Sequence, residues 1–235
     1  MRFDSRASHY DVHAVPQREF AGKVAEFVKP RAEESLLELG AGTGALTRQL
    51  CSVPGRKLTA TDASPAMVAI GKSAAPTAEW RTLDAFHSAI PGSDVQVSSG
   101  LLQWAPNPVQ VLRQWRAALR PGGRMVHAFA CEPCLSEWRQ VAPQSPVIWR
   151  DERGWLEVFA AAGLSVRRNE LWVERVEFPS AFHLARSLHG SGVTGRPRLG
   201  AGKLREAIRQ YDCRFRSGQG VYSTWAWLAV EAVAV

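Results

Sequence analysis

The sequence of 235 residues contains little cysteine and no long apolar run. Its four cysteines, Cys51, Cys131, Cys134 and Cys213, are too few and too scattered for the disulfide framework of a small secreted protein. No apolar stretch is long enough to span a bilayer. The N-terminal stretch MRFDSRASHYDVHA is too polar for a secretory signal peptide. These absences predict a cytoplasmic protein that does not bind a membrane.

The chain also lacks internal repeats, low-complexity tracts and an excess of acidic residues. With 46% hydrophobic residues, it has enough apolar material for one sizeable domain. Its formal net charge of +7 favours an acidic partner, which is a nucleic acid, an anionic surface or an acidic protein. Most of the excess lies in residues 196–216, which we call the basic segment and which form either a docking surface or a solvated helix face. Its seven basic residues, set against Glu206 and Asp212, are Arg196, Arg198, Lys203, Arg205, Arg209, Arg214 and Arg216.

Strand-like and helix-like segments alternate along most of the chain. Strands are predicted at 35–39, 58–61, 79–83, 94–98, 124–130 and 164–177, and in the final run VYSTWAWLAVEAVAV. Helices are predicted at 45–53, 65–72, 108–119, 152–162, 180–195 and 199–215, after two helices in residues 5–28 that divide near Pro16. This alternation predicts an α/β domain with a mostly parallel sheet covered on both faces and a helical insertion before the last strand.

The stretch GAGTGA, residues 40–45, lies between the first predicted strand and the following helix. Glycines at this position allow a tight turn and let a ligand approach the backbone closely. The start of the next helix offers free N–H groups. The pattern fits a nucleoside cofactor, but it also fits the nicotinamide dinucleotide fingerprint or a plain glycine turn.

Three acidic residues narrow this choice. A carboxylate at Glu38, two residues before the glycines, would pair with the ammonium group of S-adenosylmethionine, whereas it would repel a pyrophosphate. Asp62 ends the second strand, where a carboxylate accepts from ribose hydroxyls in either kind of cofactor. Asp84 would accept from an adenine amino group with Ala85 or Phe86 beside the ring, or it is simply a helix N-cap.

The ordered motifs LELGAGTG, TATDASPAM, LDAF, VSSGLLQW and LRPGGRM resemble those of class I S-adenosylmethionine-dependent methyltransferases. The resemblance implies a seven-stranded sheet with an antiparallel last strand. It also implies S-adenosylmethionine as the cofactor and S-adenosylhomocysteine as its product. The cofactor-binding residues that it implies are Gln17, Glu38, Gly40, Ala41, Gly42, Gly44, Asp62, Ala63, Met67, Asp84, Ala85, Phe86, Ser99, Gly100 and Leu101.

The flanking segments FDSRASHYDVHAVPQREFA and FHLARSLHGSGVTGRPRLGAGKLREAI resemble the malonyl-acyl-carrier-protein O-methyltransferases of biotin synthesis. In that family an N-terminal segment closes over the cofactor; here it would contain His9, Tyr10, Gln17 and Arg18. Ser99 replaces the family's usual Asn, and a His stands in the Lys position of the RSLHGSG stretch. The resemblance divides the single domain into a helical lid at 1–30, a cofactor core at 35–178, a helical insertion at 179–217 and a last strand at 220–235.

The implied acceptor is the free carboxylate of a malonyl thioester, which is ionised at neutral pH and needs no strong general base. Arg186 is predicted to recognise this carboxylate, because the guanidinium fork matches it; an exposed helix arginine is the alternative. Tyr10 is the second predicted catalytic residue, unless it only packs on the first helix. The predicted substrate-binding residues are His9, Gln103, Trp104, Arg186 and His189. An acidic acyl carrier protein is the predicted partner of the basic segment.

Other functions fit the sequence less well. The family's base-modifying members carry Asn/Asp-Pro-Pro-Tyr or Pro-Cys after the fourth strand, where this chain has SSGLLQW, so no nucleic acid partner is predicted. The CEPC stretch at 131–134 has no second Cys/His pair to complete a zinc site, and we expect its cysteines to be packing residues. A small-molecule carboxyl or quinone-precursor methyltransferase and a non-catalytic cofactor-binding module remain alternatives.

Overall fold

A sheet of seven long strands runs through the centre of the molecule, and an eighth strand of two residues pairs at its margin. The computed structural model describes residues 15–31, 33–52, 55, 57–143, 147–192 and 200–235. The strands are β1 (Leu36–Leu39), β2 (Leu58–Asp62), β3 (Glu79–Thr82), β4 (Ser93–Ser99), β5 (Leu119–Ala130), β6 (Leu164–Phe178), β7 (Arg216–Ser217) and β8 (Gly220–Ala234). The helices are α1 (Val15–Val28), α2 (Ala45–Leu50), α3 (Pro65–Ala74), α4 (Pro108–Ala117), α5 (Ser136–Val141), α6 (Glu152–Ala161), α7 (Ala181–Gly190) and α8 (Ala201–Arg214), with a 3₁₀ turn at Leu102–Trp104.

The strand order across the sheet is β3-β2-β1-β4-β5-β8-β6. Strands β1 to β5 pair in parallel, whereas β8 runs antiparallel to both β5 and β6. The direction of chain progression reverses between β1 and β4, and ligands bind above the carboxyl ends of strands at such a switch point. Helices α7 and α8 lie between β6 and β8 in sequence. The predicted α/β fold class, the antiparallel last strand and the helical insertion are therefore confirmed.

Two hydrophobic clusters form the core, and both take side chains from the sheet. One contains the predicted inner face of α1, where Phe20, Val24, Phe27 and Val28 are buried, together with side chains of α7 and α8. The other contains residues of α4 and α6, including Trp115. All four residues of β1 are buried, as expected for a strand covered on both faces. This packing holds the carboxyl ends of the central strands in fixed positions.

Several boundaries differ from those predicted. Helix α1 contains Pro16 near its beginning rather than a break there, since a proline in the first turn removes no needed hydrogen bond. Helix α2 ends at Leu50, earlier than predicted. Strand β5 begins at Leu119 and has a register shift opposite Ser93/Val95. Helix α5 was not predicted, and residues 5–14 of the predicted lid lie outside the described residues.

Candidate active site

A cleft of about 1150 Å³, including its open mouth, lies at the carboxyl ends of the parallel strands. We call it the central cavity. Its lining residues from α1, β1, the glycine loop and the β2–α3 region are Gln17, Arg18, Ala21, Glu38, Gly40, Ala41, Gly42, Thr43, Ala45, Leu46, Asp62 and Met67. Those from the end of β4 onward are Ser99, Gly100, Leu101, Gln103, Trp104, Ala130, Cys134, Leu135, Val147, Trp149, Ser191, Trp225 and Trp227. Ligand sites in open α/β sheets lie at this edge, where the parallel strands end.

The glycine loop has a backbone shape that side chains would disturb. Gly40 has a φ of +68°, and a Cβ atom there would lie 2.9 Å from the side chain of Leu101. The Ala41 amide donates to the Thr61 carbonyl oxygen at 2.8 Å, which ties the loop to β2. Glycine at position 40 therefore lets the end of β1 and the end of β4 approach each other.

Glu38 is a buried acid at the inner wall of the cavity. It is 2% exposed, and its Oε2 accepts a hydrogen bond from the Thr47 hydroxyl at 2.7 Å. Burial is the main cause that raises the pKa of Glu38 from 4.5 to about 7. The negative charge of Asp62 adds to this rise, whereas the Thr47 hydrogen bond and the charge of Arg48 oppose it. A buried carboxylate in this state favours a cation beside it, such as an ammonium group.

Asp62 orients its carboxylate through backbone amides on both sides. Its Oδ2 accepts from the Gly42 N–H and its Oδ1 from the Ser64 N–H, each at 2.9 Å. These two hydrogen bonds fix the plane of the carboxylate at the end of β2, where acids accept from ribose hydroxyls in nucleoside-binding folds. Ser64 in turn caps α3 by accepting from the amide of Met67, which lines the cavity. These contacts hold both the glycine loop and the start of α3 next to one acid.

The Asp84 loop lies beside β2 but does not line the cavity. The amide of Leu83 donates to the Asp62 carbonyl oxygen at 3.0 Å, which places this loop next to the end of β2. Partial burial raises the pKa of Asp84, but hydrogen bonds from His87 and the Phe86 amide outweigh it, so its pKa lies below the usual value. The side chain of Ala85 is buried in the core. The adenine contacts of these residues stay predictions, as do those of Gly44 and Ala63, which also lie outside the cavity wall.

The end of β4 forms another side of the cavity, with Ser99 and Leu101 in its wall. Gly100 has a φ of +77°, and a Cβ atom there would lie 2.8 Å from the ring of Trp227. The side-chain amide Nε2 of Gln103 donates to the Gly100 carbonyl oxygen at 2.9 Å, which fixes the 3₁₀ turn after β4. Gln103 and Trp104 thus lie at the cavity, where the sequence placed them.

Helix α1 covers the cavity with Gln17, Arg18 and Ala21. Phe20, on the same helix, stacks on Trp227 with ring centroids 5.0 Å apart and planes at 8°. This stack fastens the helix to β8. Among the described residues that line the cavity, Arg18 alone carries a positive charge.

The part of the cavity wall that comes from β8 and from the region after β5 is largely aromatic and was not predicted from the sequence. It consists of Trp149, Trp225 and Trp227 with Leu135 and Val147. Because β8 runs antiparallel, its first residues lie where the parallel strands end, and Trp227 is the register partner of Ala130. The alternation in TWAW, which places two tryptophans on one face of the strand, was the available signal.

The remaining predicted substrate residues are not brought into this wall. Arg186 and His189 are exposed on α7, while Ser191, just after this helix, lines the cavity. His9 and Tyr10 lie outside the described residues. The roles of these four residues stay predictions.

Both cysteines of the CEPC stretch are buried. Cys134 lines the cavity, and the Cys131 thiol donates to the Arg150 carbonyl oxygen at 3.4 Å. Burial raises the pKa of each thiol to about 12, so both are protonated at neutral pH. Within the described ranges, no three His, Cys, Asp or Glu side chains are grouped to hold a metal ion. Among these same residues, no helix combines the length and apolar character that crossing a membrane requires.

Comparisons with known proteins agree with this geometry. A family model described as a methyltransferase domain matches residues 37–125. The chain is 25% identical to the malonyl-[acyl-carrier protein] O-methyltransferase of Paenibacillus sp. (strain JDR-2), over 97% of this chain and 95% of that protein. It is 30% identical to the biotin biosynthesis bifunctional protein BioCD of Bordetella avium (strain 197N), over 90% of this chain and 48% of that protein.

Solved structures show the same fold. A Bacillus halodurans C-125 protein described as a methyltransferase matches with a TM-score of 0.71 and 12% identity, over 91% of this chain and 98% of that chain. The magnesium protoporphyrin IX methyltransferase of Synechocystis PCC 6803, solved with bound S-adenosylhomocysteine, matches with a TM-score of 0.57 and 13% identity, over 91% of this chain and 82% of that chain.

The fold and the matched segment identify a methyltransferase domain that uses S-adenosylmethionine as its cofactor. Its residues fit that cofactor, since the Gly40 bend admits backbone approach and buried Glu38 suits an ammonium group. The amide oxygen of Gln17 also lines the cavity without a hydrogen-bond partner among the described residues. Within the class, the chain resembles the malonyl-[acyl-carrier protein] O-methyltransferases over nearly its whole length.

Proposed function

We propose that this enzyme methylates the free carboxylate of a malonyl thioester carried by an acyl carrier protein, giving the methyl ester that primes biotin synthesis. The observation that carries the proposal is similarity to enzymes of that name over nearly the full length of both chains. The aromatic wall beside the cofactor-binding loops supports it, because it provides separate room for an acceptor.

The ionisable groups of the cavity support an acceptor that is already ionised. Among the described lining residues these groups are Arg18, Glu38, Asp62 and Cys134. Glu38 and Asp62 are held at the glycine loop, and the Cys134 thiol is protonated at neutral pH. A malonyl carboxylate needs no proton removed, so the enzyme only has to bind it, align it and exclude water.

Five of the predicted cofactor-binding residues have a defined chemical role in this proposal. When bound, S-adenosylmethionine would supply the methyl group of its sulfonium to a carboxylate oxygen, and the cofactor would leave as the neutral thioether S-adenosylhomocysteine. Glu38 pairs with the ammonium group, Asp62 accepts from the ribose, and Asp84 accepts from the adenine. Gly40 and Gly42 keep the methionine end close to the backbone.

An arginine recognises the acceptor carboxylate in this proposal, and the chain offers two candidates. Arg186 is the one that the family resemblance implies. The same resemblance implies that Tyr10, His9 and His189 also act on the acceptor. Arg18 is the one that lines the cavity. Methylation removes the negative charge of the acceptor, so the ester product binds either arginine more weakly than the acid does.

The basic segment is the proposed docking surface for the carrier protein; its residues Arg196 and Arg198 lie outside the described residues. On α8 the side chains of Lys203 and Arg205 are exposed, and neither has a hydrogen-bond or ion-pair partner among the described residues. Arg209 is different, since it pairs with Glu206 on the same helix. Two unpaired positive charges on one exposed helix favour an acidic partner and raise its rate of encounter at low salt.

Incubation with S-adenosylmethionine labelled in its methyl group tests the function. We expect label to enter malonyl-acyl-carrier protein as a base-labile methyl ester, and the product mass to rise by one methyl group. The same assay includes malonyl-coenzyme A and small free carboxylic acids. Transfer only to the small acids would contradict the proposal and favour a small-molecule carboxyl or quinone-precursor methyltransferase.

A further inference from the structure

The indole N–H of Trp225 is a buried donor that the described part of the protein leaves without an acceptor. Trp225 is 2% exposed and lines the central cavity. Its Nε1 atom has no hydrogen-bond partner among the described residues. Such a donor costs the folded protein free energy unless something supplies an acceptor, so its presence at a ligand cavity needs an explanation.

The backbone around Trp225 is held firmly. The carboxylate of Glu137 accepts from the Thr224 amide at 2.9 Å and from the Thr224 hydroxyl at 2.5 Å. The Leu135 amide donates to the Thr224 carbonyl oxygen at 2.7 Å, and the Cys131 amide to the Ala226 carbonyl oxygen at 3.1 Å. The chain on both sides of Trp225 is therefore fixed to the loop after β5.

Trp225 lies on the acceptor side of the cavity. The glycine loop and Asp62 belong to β1 and β2, whereas β8 lies beyond β4 and β5 in the sheet. With strands spaced about 4.8 Å apart, β8 is roughly 14 Å from β1. Among the described lining residues, Leu135, Val147 and Trp227 carry no side-chain acceptor.

We propose that the indole N–H of Trp225 donates a hydrogen bond to an oxygen of the acceptor substrate and determines its affinity. This inference rests on the proposed function, in which the acceptor is a malonyl thioester. That acceptor carries carboxylate and thioester oxygens, and one neutral donor can hold an oxygen while the attacking oxygen keeps a free electron pair. Trp225 is thus an acceptor-binding residue and takes no proton.

Trp155 provides a matched control. It is 1% exposed, and its Nε1 also lacks a hydrogen-bond partner among the described residues. It lies on α6 in the other core cluster, with its ring tilted against that of Phe129, and it does not line the cavity. Both Trp225→Phe and Trp155→Phe remove one buried, unpaired indole N–H, but only the first removes it from the cavity.

Steady-state kinetics with malonyl thioester compares the two variants. We expect Trp225→Phe to raise the KM for the acceptor about tenfold, with kcat and the Kd for S-adenosylmethionine within twofold of wild type. Trp155→Phe should leave all three within twofold. An unchanged acceptor KM in Trp225→Phe, or an equal loss of cofactor affinity, overturns the proposal.

An NMR measurement on the wild-type enzyme does not depend on a variant folding. With ¹⁵N-labelled tryptophan and bound S-adenosylhomocysteine, malonyl thioester should move one indole N–H resonance downfield, and that resonance should be missing from Trp225→Phe. No downfield shift among the nine tryptophans refutes the proposal, as does a shifted resonance that persists in the variant. If wild-type enzyme methylates only another carboxylic acid, the proposed function fails, and both variants are then compared on that acid.

Discussion

Replacing Glu38 with glutamine separates the cost of burying its charge from the benefit of that charge. The pKa of Glu38 is about 7 in the folded chain, compared with 4.5 for an ordinary glutamate. Between these pH values the folded state therefore binds more protons than the unfolded state. The contribution of Glu38 to stability is fully present below pH 4.5 and is lost as the pH rises through about 7. At pH 8 the ionised side chain costs the free protein about 3 kcal/mol relative to a neutral one.

Urea unfolding without cofactor, at pH 5 and pH 8, measures this cost. Glutamine keeps the shape of the side chain and an oxygen that can accept from Thr47. We expect the wild type to lose about 2 to 3 kcal/mol relative to Glu38→Gln between the two pH values. As a control, Glu157→Gln is an exposed change on α6, and its free energy of unfolding should change between the two pH values by the same amount as that of wild type.

Calorimetry should show that the charge of Glu38 strengthens the binding of S-adenosylmethionine, although it destabilises the free protein. Wild-type affinity should strengthen as the pH rises from 6 to 8, because a charged carboxylate pairs with the ammonium group. Glu38→Gln should bind at least about tenfold more weakly at pH 8 and change little with pH. Parallel stability profiles for wild type and Glu38→Gln, or equal cofactor affinities at pH 8, would refute the reasoning.

Three further changes test other parts of the site. Arg186→Ala and Arg18→Ala compare the two candidate arginines. Loss of the arginine that binds the acceptor carboxylate should raise the KM for the acceptor at least about tenfold and leave the Kd of S-adenosylmethionine unchanged. Similar small effects from both variants would show that neither arginine has this role. Gly100→Ala should lower the free energy of unfolding by about 1 to 3 kcal/mol, because the residue has a φ of +77° and the new Cβ would meet Trp227 at 2.8 Å. Gly202→Ala on α8, where a Cβ meets nothing within 4 Å, should be neutral or slightly stabilising, and equal losses in both urea titrations would contradict the argument. Lys203→Glu with Arg205→Glu should raise the KM for malonyl-acyl-carrier protein several-fold at low salt but not the KM for malonyl-coenzyme A, with Lys72→Glu on α3 as the control. Equal effects on both carriers would show that the basic segment does not dock the protein partner.

Local patterns in the sequence were sufficient to predict that the glycine loop and two acids lie together. Gly40, Gly42 and Glu38 lie within a few residues of one another, and Asp62 ends the next strand, so adjacent β1 and β2 bring them together. The periodicity of α1 also identified its buried face at Phe20 and Val24. These features depend on neighbours in sequence or on two consecutive strands.

The acceptor side depends on contacts that local patterns do not contain. Trp225 and Trp227 reach the cavity only because β8 inserts antiparallel between β5 and β6. Strand β5 ends at Ala130, whereas β8 begins at Gly220, so these partners are distant in sequence. Likewise, Arg18 and Arg186 are both plausible from the motifs, but only the packing of α1 against β8 through Phe20 and Trp227 places Arg18 at the cavity.

The sequence by itself determined the order of strands and helices, the glycine loop and the acids at the ends of β1 and β2. Backbone preference and hydrophobic periodicity act over a few residues, and each of these features depends only on residues that are close together in sequence. The tertiary structure alone decided that an aromatic wall shares one cavity with the glycine loop, and that its Trp225 indole has no acceptor among the described residues. That wall joins segments distant in the chain, because burying apolar side chains rewards any partner of suitable shape, wherever it lies in sequence.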